Sequence, residues 1–262
     1  GIITNVGKAH LQGFGSFEGV VRTKGELYDF LRSNPSSKVF IDAGNEHLLR
    51  ISNGLHLIKY GVGENDGLSV RGEVVECAPF LHFRWTDGES WYDVNTHLIG
   101  SYNIYNMLAA ATIGLHFGIT PQAICHALSS YEPSNNRSQL TNTAHNHLIV
   151  DAYNANPTSM SAALRNFRDM QVSPKMAILG DMRELGESSA EEHQKVVDFL
   201  SEAHLDNTWL VGEAFGKTTT SLRKFADIDA VKAAIAEEQP RGYYILIKGS
   251  NGIKLYQLPE IL

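Results

Sequence analysis

Four short apolar runs constrain the fold of this chain more than any other feature: HLIVDAYN from His147, KMAILGDM from Lys175, TWLVGEAF from Thr208 and YYILIKGS from Tyr243. Each is rich in Ile, Leu and Val, too short for a helix that could bury itself, and closed by Gly, Asp or Asn, so each reads as a buried strand. Helical stretches with their own start signals lie between them. Asn156-Pro157 offers an N-cap followed by Pro at the first helical position. Ser189-Ala-Glu-Glu192 reads as a capping box ahead of HQKVVDFLSEAHL, and DAVKAAIAEEQ stops before Pro240. Strand and helix alternating in this way predict a doubly wound, Rossmann-like parallel sheet. Ligands of such sheets gather outside the carboxyl ends of the strands. Here those ends are Asp151 to Asn156, Gly180 to Met182, Gly212-Glu213 and Lys248 to Ser250.

The first half is more mixed. GIITNV reads as a strand end, SFEGVVRTKGELYDFLRSN has helical period, and KVFIDAG and GLHLIKYGVG are strands. FLHFRW and SWYDV flank Thr86-Asp-Gly88, a hairpin signal. GSYNIYNMLAAATIGLHFG is a helix closed by Gly118, and Thr120-Pro121 starts the next. The polar stretch from Ser138 to His147 has no apolar period and divides the chain into 1–140 and 141–262. A length of 262 residues, 43% hydrophobic and 19% charged, suits two modest domains. Acidic residues outnumber basic ones, 29 to 22, for a net charge of -7 without any Lys/Arg block, which argues against nucleic acid and anionic membrane as partners. Cys77 and Cys125 form no C-x-x-C and fit a reducing, cytoplasmic setting. No apolar run approaches the roughly 20 residues of a membrane span. The chain opens without Met on what reads as a strand already under way, so it is expected to be a piece of a longer protein.

WLVGEAFGKTTT, from Trp209, has the look of a phosphate-binding loop. A P-loop requires Gly-x-x-x-x-Gly-Lys-[Ser/Thr], because its successive N–H groups wrap a phosphate. Counting back from Gly216-Lys217-Thr218, the first required glycine falls on Val211, and Val does not readily take left-handed dihedrals. The stretch is therefore read as a strand end followed by a polar turn.

Residue chemistry leaves several candidates open. His10 follows a strand end and reads as a loop residue or a ligand; Lys24, on the following helix, reads as solvated or as a functional amine. Asn103 and Asn106 share a helix face. Paired amides could read the edge of a purine, or could cap the helix. Arg137, in PSNNRSQ, is suited to meeting phosphate as a planar fork or to lying in solvent. Asp151 could accept from a ribose hydroxyl or cap its turn.

Together these segments resemble the Mur ligase family of peptidoglycan synthesis. ITNVGKAHLQGFGSFEGVVRTKGEL is similar to the family's central-domain segment ending at its modified lysine, GSYNIYNMLAAA to its adenine-side helix, and EPSNNRSQ to its interdomain arginine segment. VDAYNANPTSMSAAL and LGDMRELGESSAEEH resemble the branch that adds D-alanyl-D-alanine rather than a single amino acid. The resemblance implies an α/β fold, with part of a central ATPase-type mixed-sheet domain ahead of the C-terminal doubly wound domain. It implies an ATP-dependent amide ligase, with ATP and Mg2+ as cofactors and UDP-MurNAc-tripeptide and D-Ala-D-Ala as substrates, working as a cytoplasmic monomer. ATP would phosphorylate the tripeptide's terminal carboxylate, and the dipeptide's amine would attack the acyl phosphate. By the same resemblance Lys24 is the carbamylated lysine and His10 the metal-side histidine, both catalytic and metal-linked. Asn106, with Asn103, faces adenine; Arg137 and Asp151 reach phosphate and ribose; Asn154 and Asn156 face the dipeptide or phosphate. Three positions depart from the family pattern: Asn136 where Gly is common, Val150 where Asp is common, and Asn251-Gly252 where Arg is common after Lys-Gly-Ser. The last puts a substrate role for that loop in doubt. The family's P-loop and metal-binding glutamate precede the segments present, so this chain alone is expected not to turn over. Two other readings stand beside this one: a non-catalytic binding module for dipeptide or nucleotide, and a Mur- or folate-type ligase adding one amino acid.

Overall fold

All four apolar runs that dominate the sequence form strands in the computed structural model, which describes residues 1–8, 11–64, 67–133, 139–205 and 207–262. They belong to the second of two compact units, Gly1–Glu132 and Pro133–Leu262.

In the first unit, α1 (Leu11–Phe14) and α2 (Phe17–Arg32) precede β1 (Lys38–Asp42), α3 (Glu46–Ile51), β2 (His56–Val62), β3 (Val70–Cys77), β4 (Phe80–Thr86) and β5 (Trp91–Ile99). The helices α4 (Ile104–His116) and α5 (Pro121–Ser130) follow. Sheet order is β1-β2-β3-β4-β5, parallel from β1 to β3 and antiparallel from β3 to β5. The antiparallel β4–β5 pair is the hairpin that the sequence announces. Local chemistry starts the helices: Ser16 accepts from Gly19 N–H, Asn45 from Leu48 N–H and Thr120 from Ala123 N–H. The leading GIITNV contributes only an isolated bridge, Ile2 to Phe40, rather than a strand, while Ile3 packs with Tyr28, Val39, Ile41 and Leu48. The other core lies under α4, where Leu108 and Ala111 meet Phe83 and Trp85. Helix and sheet approach closely at Gly72, since a Cβ there would stand 2.6 Å from Leu108 Cδ2.

In the second unit the order along the chain is β6 (Gln139–Asn142), β7 (His147–Asp151), α6 (Pro157–Asp169), β8 (Lys175–Gly180), α7 (Ser189–Glu202), β9 (Thr208–Val211), α8 (Glu213–Gly216), β10 (Arg223–Phe225), α9 (Ile228–Glu238) and β11 (Tyr244–Lys248). The sheet order is β10-β9-β8-β11-β7-β6. Every pairing from β10 to β7 is parallel. The chain leaves β7 for β8, builds outward, and returns to insert β11 between them, which puts the topological switch point at β7, β11 and β8.

Three further expectations need amending. The sheet is not wholly parallel, because β6 pairs antiparallel with β7, Gln139 opposite Val150. The same pairing draws residues 139 and 140 into the second sheet, and the compact units divide between Glu132 and Pro133 rather than after 140. The capping box at Ser189 does not form. A 3-10 turn at Gly186–Ser188 runs into α7, Ser188 makes no side-chain cap, and Glu192 is buried on the helix, 3.3 Å from Lys195 Nζ. At α6 the expected cap is present and reciprocal: Asn156 Oδ1 accepts from Ser159 N–H, and Ser159 Oγ accepts from Asn156 N–H.

Candidate functional site

Two groups of polar side chains stand out, one in each unit. In the first, Lys24 lies in the middle of α2 and Tyr28 one turn further on, on the same face. Lys24 is exposed as a residue, yet its Nζ donates to the Asn5 carbonyl at 2.8 Å, and desolvation there pulls its pKa below the ordinary lysine value. The shift favours a neutral amine, the form that carbamylation requires. At the end of β1, Asp42 is buried and its carboxyl pKa is raised by desolvation, although Oδ1 accepts from Gly44 N–H at 2.9 Å. Asn103 and Asn106 are brought together. Asn103, buried at the end of a 3-10 turn, donates to Ile99 O at 2.9 Å and accepts at Oδ1 from Asn106 Nδ2 at 3.1 Å. Neither amide caps α4. The buried Asn103 therefore fixes the exposed Asn106, whose amide oxygen makes no hydrogen bond among the described residues. His10 lies outside the described residues, and so does Arg137 in the second unit.

In the second unit the carboxyl ends of β7, β11 and β8 form a tightly cross-linked crevice. Parallel register sets Lys248 beside Asp151, and the two form an ion pair with Lys248 almost fully buried. Asp151 is thus held by a buried cation rather than capping its own turn. Ser250, also buried, accepts at Oγ from Arg183 N–H at 2.9 Å and lies 3.5 Å from Ala155 O, so it joins the loops after β8 and β7. The Arg183 guanidinium donates from Nη2 to Gly252 O at 3.2 Å. Gly249 allows β11 to approach β8: a Cβ there would stand 2.9 Å from Gly180 Cα. Asn154 is exposed, its Oδ1 2.9 Å from Ala155 N. Asn156 is half-buried, its Oδ1 engaged as the α6 cap, which leaves only its amide N–H groups for a ligand.

The P-loop look of the Trp209 stretch ends here. Asp181 accepts from Ala214 N–H and Phe215 N–H, both at 2.9 Å, taking the two amides a phosphate would need. Gly212, with φ 121°, is required because a Cβ would fall 2.4 Å from that carboxylate. Lys217 is paired with Glu213 at 2.6 Å.

Sequence reading passed over His193. It is fully buried, with Nε2 accepting from Met182 N–H at 3.0 Å and Nδ1 2.7 Å from Ser189 O. Both contacts are met together by the neutral ring with its proton on Nδ1. The 3.7 Å approach of Asp181 Oδ1 to Nε2 is then a contact between two acceptors and not an ion pair. A signal was present: Glu192, His193, Val196, Val197 and Leu200 share the buried face of α7 at helical spacing, so His193 reads as a core position. Lys248 and Ser250 lay within a strand end already marked for polar contacts. Nothing in the sequence alone distinguished their burial.

No three His, Cys, Asp or Glu side chains among the described residues come together as a metal ion would require. Among those residues, no helix is long and apolar enough to cross a membrane.

The pattern of the Mur ligase middle domain matches residues 1–114, and that of the Mur ligase, glutamate ligase domain matches residues 136–251. The chain belongs to the Mur ligase family. UDP-N-acetylmuramoyl-tripeptide–D-alanyl-D-alanine ligase of Bacillus subtilis (strain 168) is 30% identical over 272 residues, covering 100% of this chain and 58% of the relative. The ligase of the same name from Escherichia coli (strain K12) is 30% identical over 274 residues, covering 100% and 59%. The chain thus spans under two thirds of the length of these curated relatives. Among solved structures, MurF from Acinetobacter baumannii superposes with a TM-score of 0.85 at 26% identity, covering 99% of this chain and 58% of that one. MurF ligase from Thermotoga maritima, in complex with ADP, gives a TM-score of 0.84 at 20% identity, covering 99% and 60%, and supports the fold. Lys24, Asn103 and Asn106 fall in the Mur ligase middle-domain match, and the β7–β11–β8 crevice falls in the glutamate ligase match.

Proposed function

We propose that the protein to which these units belong is an ATP-dependent amide ligase that joins D-Ala-D-Ala to the terminal carboxylate of UDP-MurNAc-tripeptide through an acyl phosphate. It would work as a cytoplasmic monomer in peptidoglycan precursor synthesis. The observation that carries this reading is the crevice at the switch point, where the Asn154–Asn156, Asp181–Arg183 and Ser250 segments are cross-linked, in a chain whose relatives bear that name along its whole length. Such a crevice suits a small polar ligand held by fixed donors and acceptors.

The chemistry follows from the reactants. A carboxylate is a poor electrophile at neutral pH, and phosphorylation gives it a leaving group. In this reading Asn106, fixed by Asn103, presents its amide to the adenine edge, and Asp151, fixed by Lys248, accepts from a ribose hydroxyl. Arg137 is assigned to phosphate, and Asn154, with the free N–H groups of Asn156, to the dipeptide side. Lys24 is assigned to carbamylation, and its lowered pKa supports that assignment. Magnesium, when bound, screens phosphate charge; His10 and the modified Lys24 are its proposed supports. The described residues do not make a magnesium cage by themselves.

The test is a substrate panel on the full-length protein with ATP and UDP-MurNAc-tripeptide. Ligation is expected with D-Ala-D-Ala at a kcat/KM at least about 100-fold above any single amino acid, since losing one buried residue and its hydrogen bonds costs at least that much. Preference for a single amino acid overturns the reading. The 262-residue chain alone is expected to release no phosphate from ATP.

A further inference from the structure

Most of the charge at the carboxyl ends of the second sheet is already spent inside the protein. Asp151 is paired with Lys248, Asp181 is satisfied by two backbone N–H groups, and Lys217 is paired with Glu213. Arg183 differs. Its backbone is pinned by Ser250 Oγ, and its guanidinium is steadied by one neutral acceptor, Gly252 O, with no carboxylate in ion-pair range among the described residues. The guanidinium lies over bare backbone: a Cβ at Gly252 would fall 2.2 Å from Arg183 Nη1. The result is a cation fixed at both ends of its side chain, with N–H donors unspent, beside the switch-point crevice and linked through Ser250 to the Ala155 turn.

A guanidinium held this way matches a planar carboxylate, which accepts two parallel N–H bonds. We propose that Arg183 binds the C-terminal carboxylate of the incoming dipeptide, an inference that rests on the function proposed above. A dipeptide that reacts through its amine must be held at its other end. That end carries its only negative charge. Arg183 thereby sets specificity for a free carboxyl terminus and orients the nucleophile.

The test is calorimetric titration of the 262-residue chain with D-Ala-D-Ala and with D-Ala-D-Ala amide, which lacks the negative charge. Wild type is expected to bind the free acid at least about tenfold tighter than the amide. Arg183→Met is expected to bind both ligands at the weaker level. Gly252→Ala, which keeps the charge but displaces the guanidinium, is expected to lose most of the discrimination. Arg183 is exposed, so its replacement leaves the core intact, and an unchanged thermal midpoint checks this. Discrimination that survives in Arg183→Met overturns the inference while leaving the dipeptide reading in place. Binding of neither ligand by wild type overturns both.

Discussion

Tyr28 shows how one side chain carries both a cost and a pH dependence. It is fully buried, and its hydroxyl has no hydrogen-bond partner among the described residues, a situation that costs about 1–3 kcal/mol relative to a paired group. Tyr28→Phe keeps the ring and removes the unpaired group, so it is expected to stabilise the chain by about 1 kcal/mol in urea unfolding at neutral pH. Burial also raises the Tyr28 pKa to about 12 from an ordinary 10.0. The folded state then holds the phenolic proton more tightly than the unfolded state. Its contribution is fully present below pH 10 and is lost as pH rises toward 12. By about pH 11 the loss is about 1.4 kcal/mol. Tyr28→Phe is expected to lack this part of the decline, while Tyr60, raised in the same direction by burial and by Asp42, retains its own. A wild type and variant that fall in parallel between pH 9 and 11 would sink the assignment. At this scale the sequence marked residue types capable of chemistry and showed little of what holds them. The pairing of Asn103 with Asn106 was legible from their spacing of three. The Lys248 beneath Asp151 was not, because a parallel register 97 residues apart leaves no local mark.

Among elements, those with a clear apolar period were legible, whereas β3 and β6 were not. β8 and β11 are buried nearly throughout and read directly as strands. β3 was missed because Arg71, Glu73 and Glu76 break its apolar pattern; only one face of it is covered. β6 was missed because QLTN lies in the polar stretch taken as the boundary, and an edge strand can stay polar on its open side. α6 was legible from its cap, and the cap raises a question of role, because Asn156 is also a proposed ligand contact. The two roles use different atoms: Oδ1 caps, and the amide N–H groups are left for a ligand. Asn156→Ser keeps a capping oxygen and removes the amide, so it is expected to hold stability within a few tenths of a kcal/mol. Asn156→Ala loses the cap and is expected to cost about 1 kcal/mol, with faster hydrogen exchange at the first turn of α6. Dipeptide titration then separates the roles: weaker binding in Asn156→Ser at unchanged stability assigns the amide to the ligand. Wild-type binding in Asn156→Ser leaves Asn156 as a cap alone.

At the scale of the whole molecule, the candidate residues divide between units that each hold a core of their own. The second unit's cluster runs from Leu148 through Met176, Trp209, Val231 and Ile247 to Leu262, and every member lies within that unit. About 130 residues around one sheet is a size at which roughly two thirds of the unfolded chain's surface is buried on folding, enough for independent stability. Residues 133–262 expressed alone are therefore expected to fold cooperatively. Trp209 provides the reporter, since it is the sole tryptophan of the unit, is buried, and packs 4.9 Å from the Phe225 ring with the Arg223 guanidinium over its face. Its emission should shift to longer wavelength in one sigmoidal step on heating, coincident with loss of far-ultraviolet circular dichroism. Because every group assigned to the dipeptide's carboxylate lies in the same unit, the excised piece should also keep the preference for D-Ala-D-Ala over its amide. A gradual Trp209 transition that precedes the loss of secondary structure would mean that the cluster does not hold the unit together, and the crevice could not then be treated as preformed.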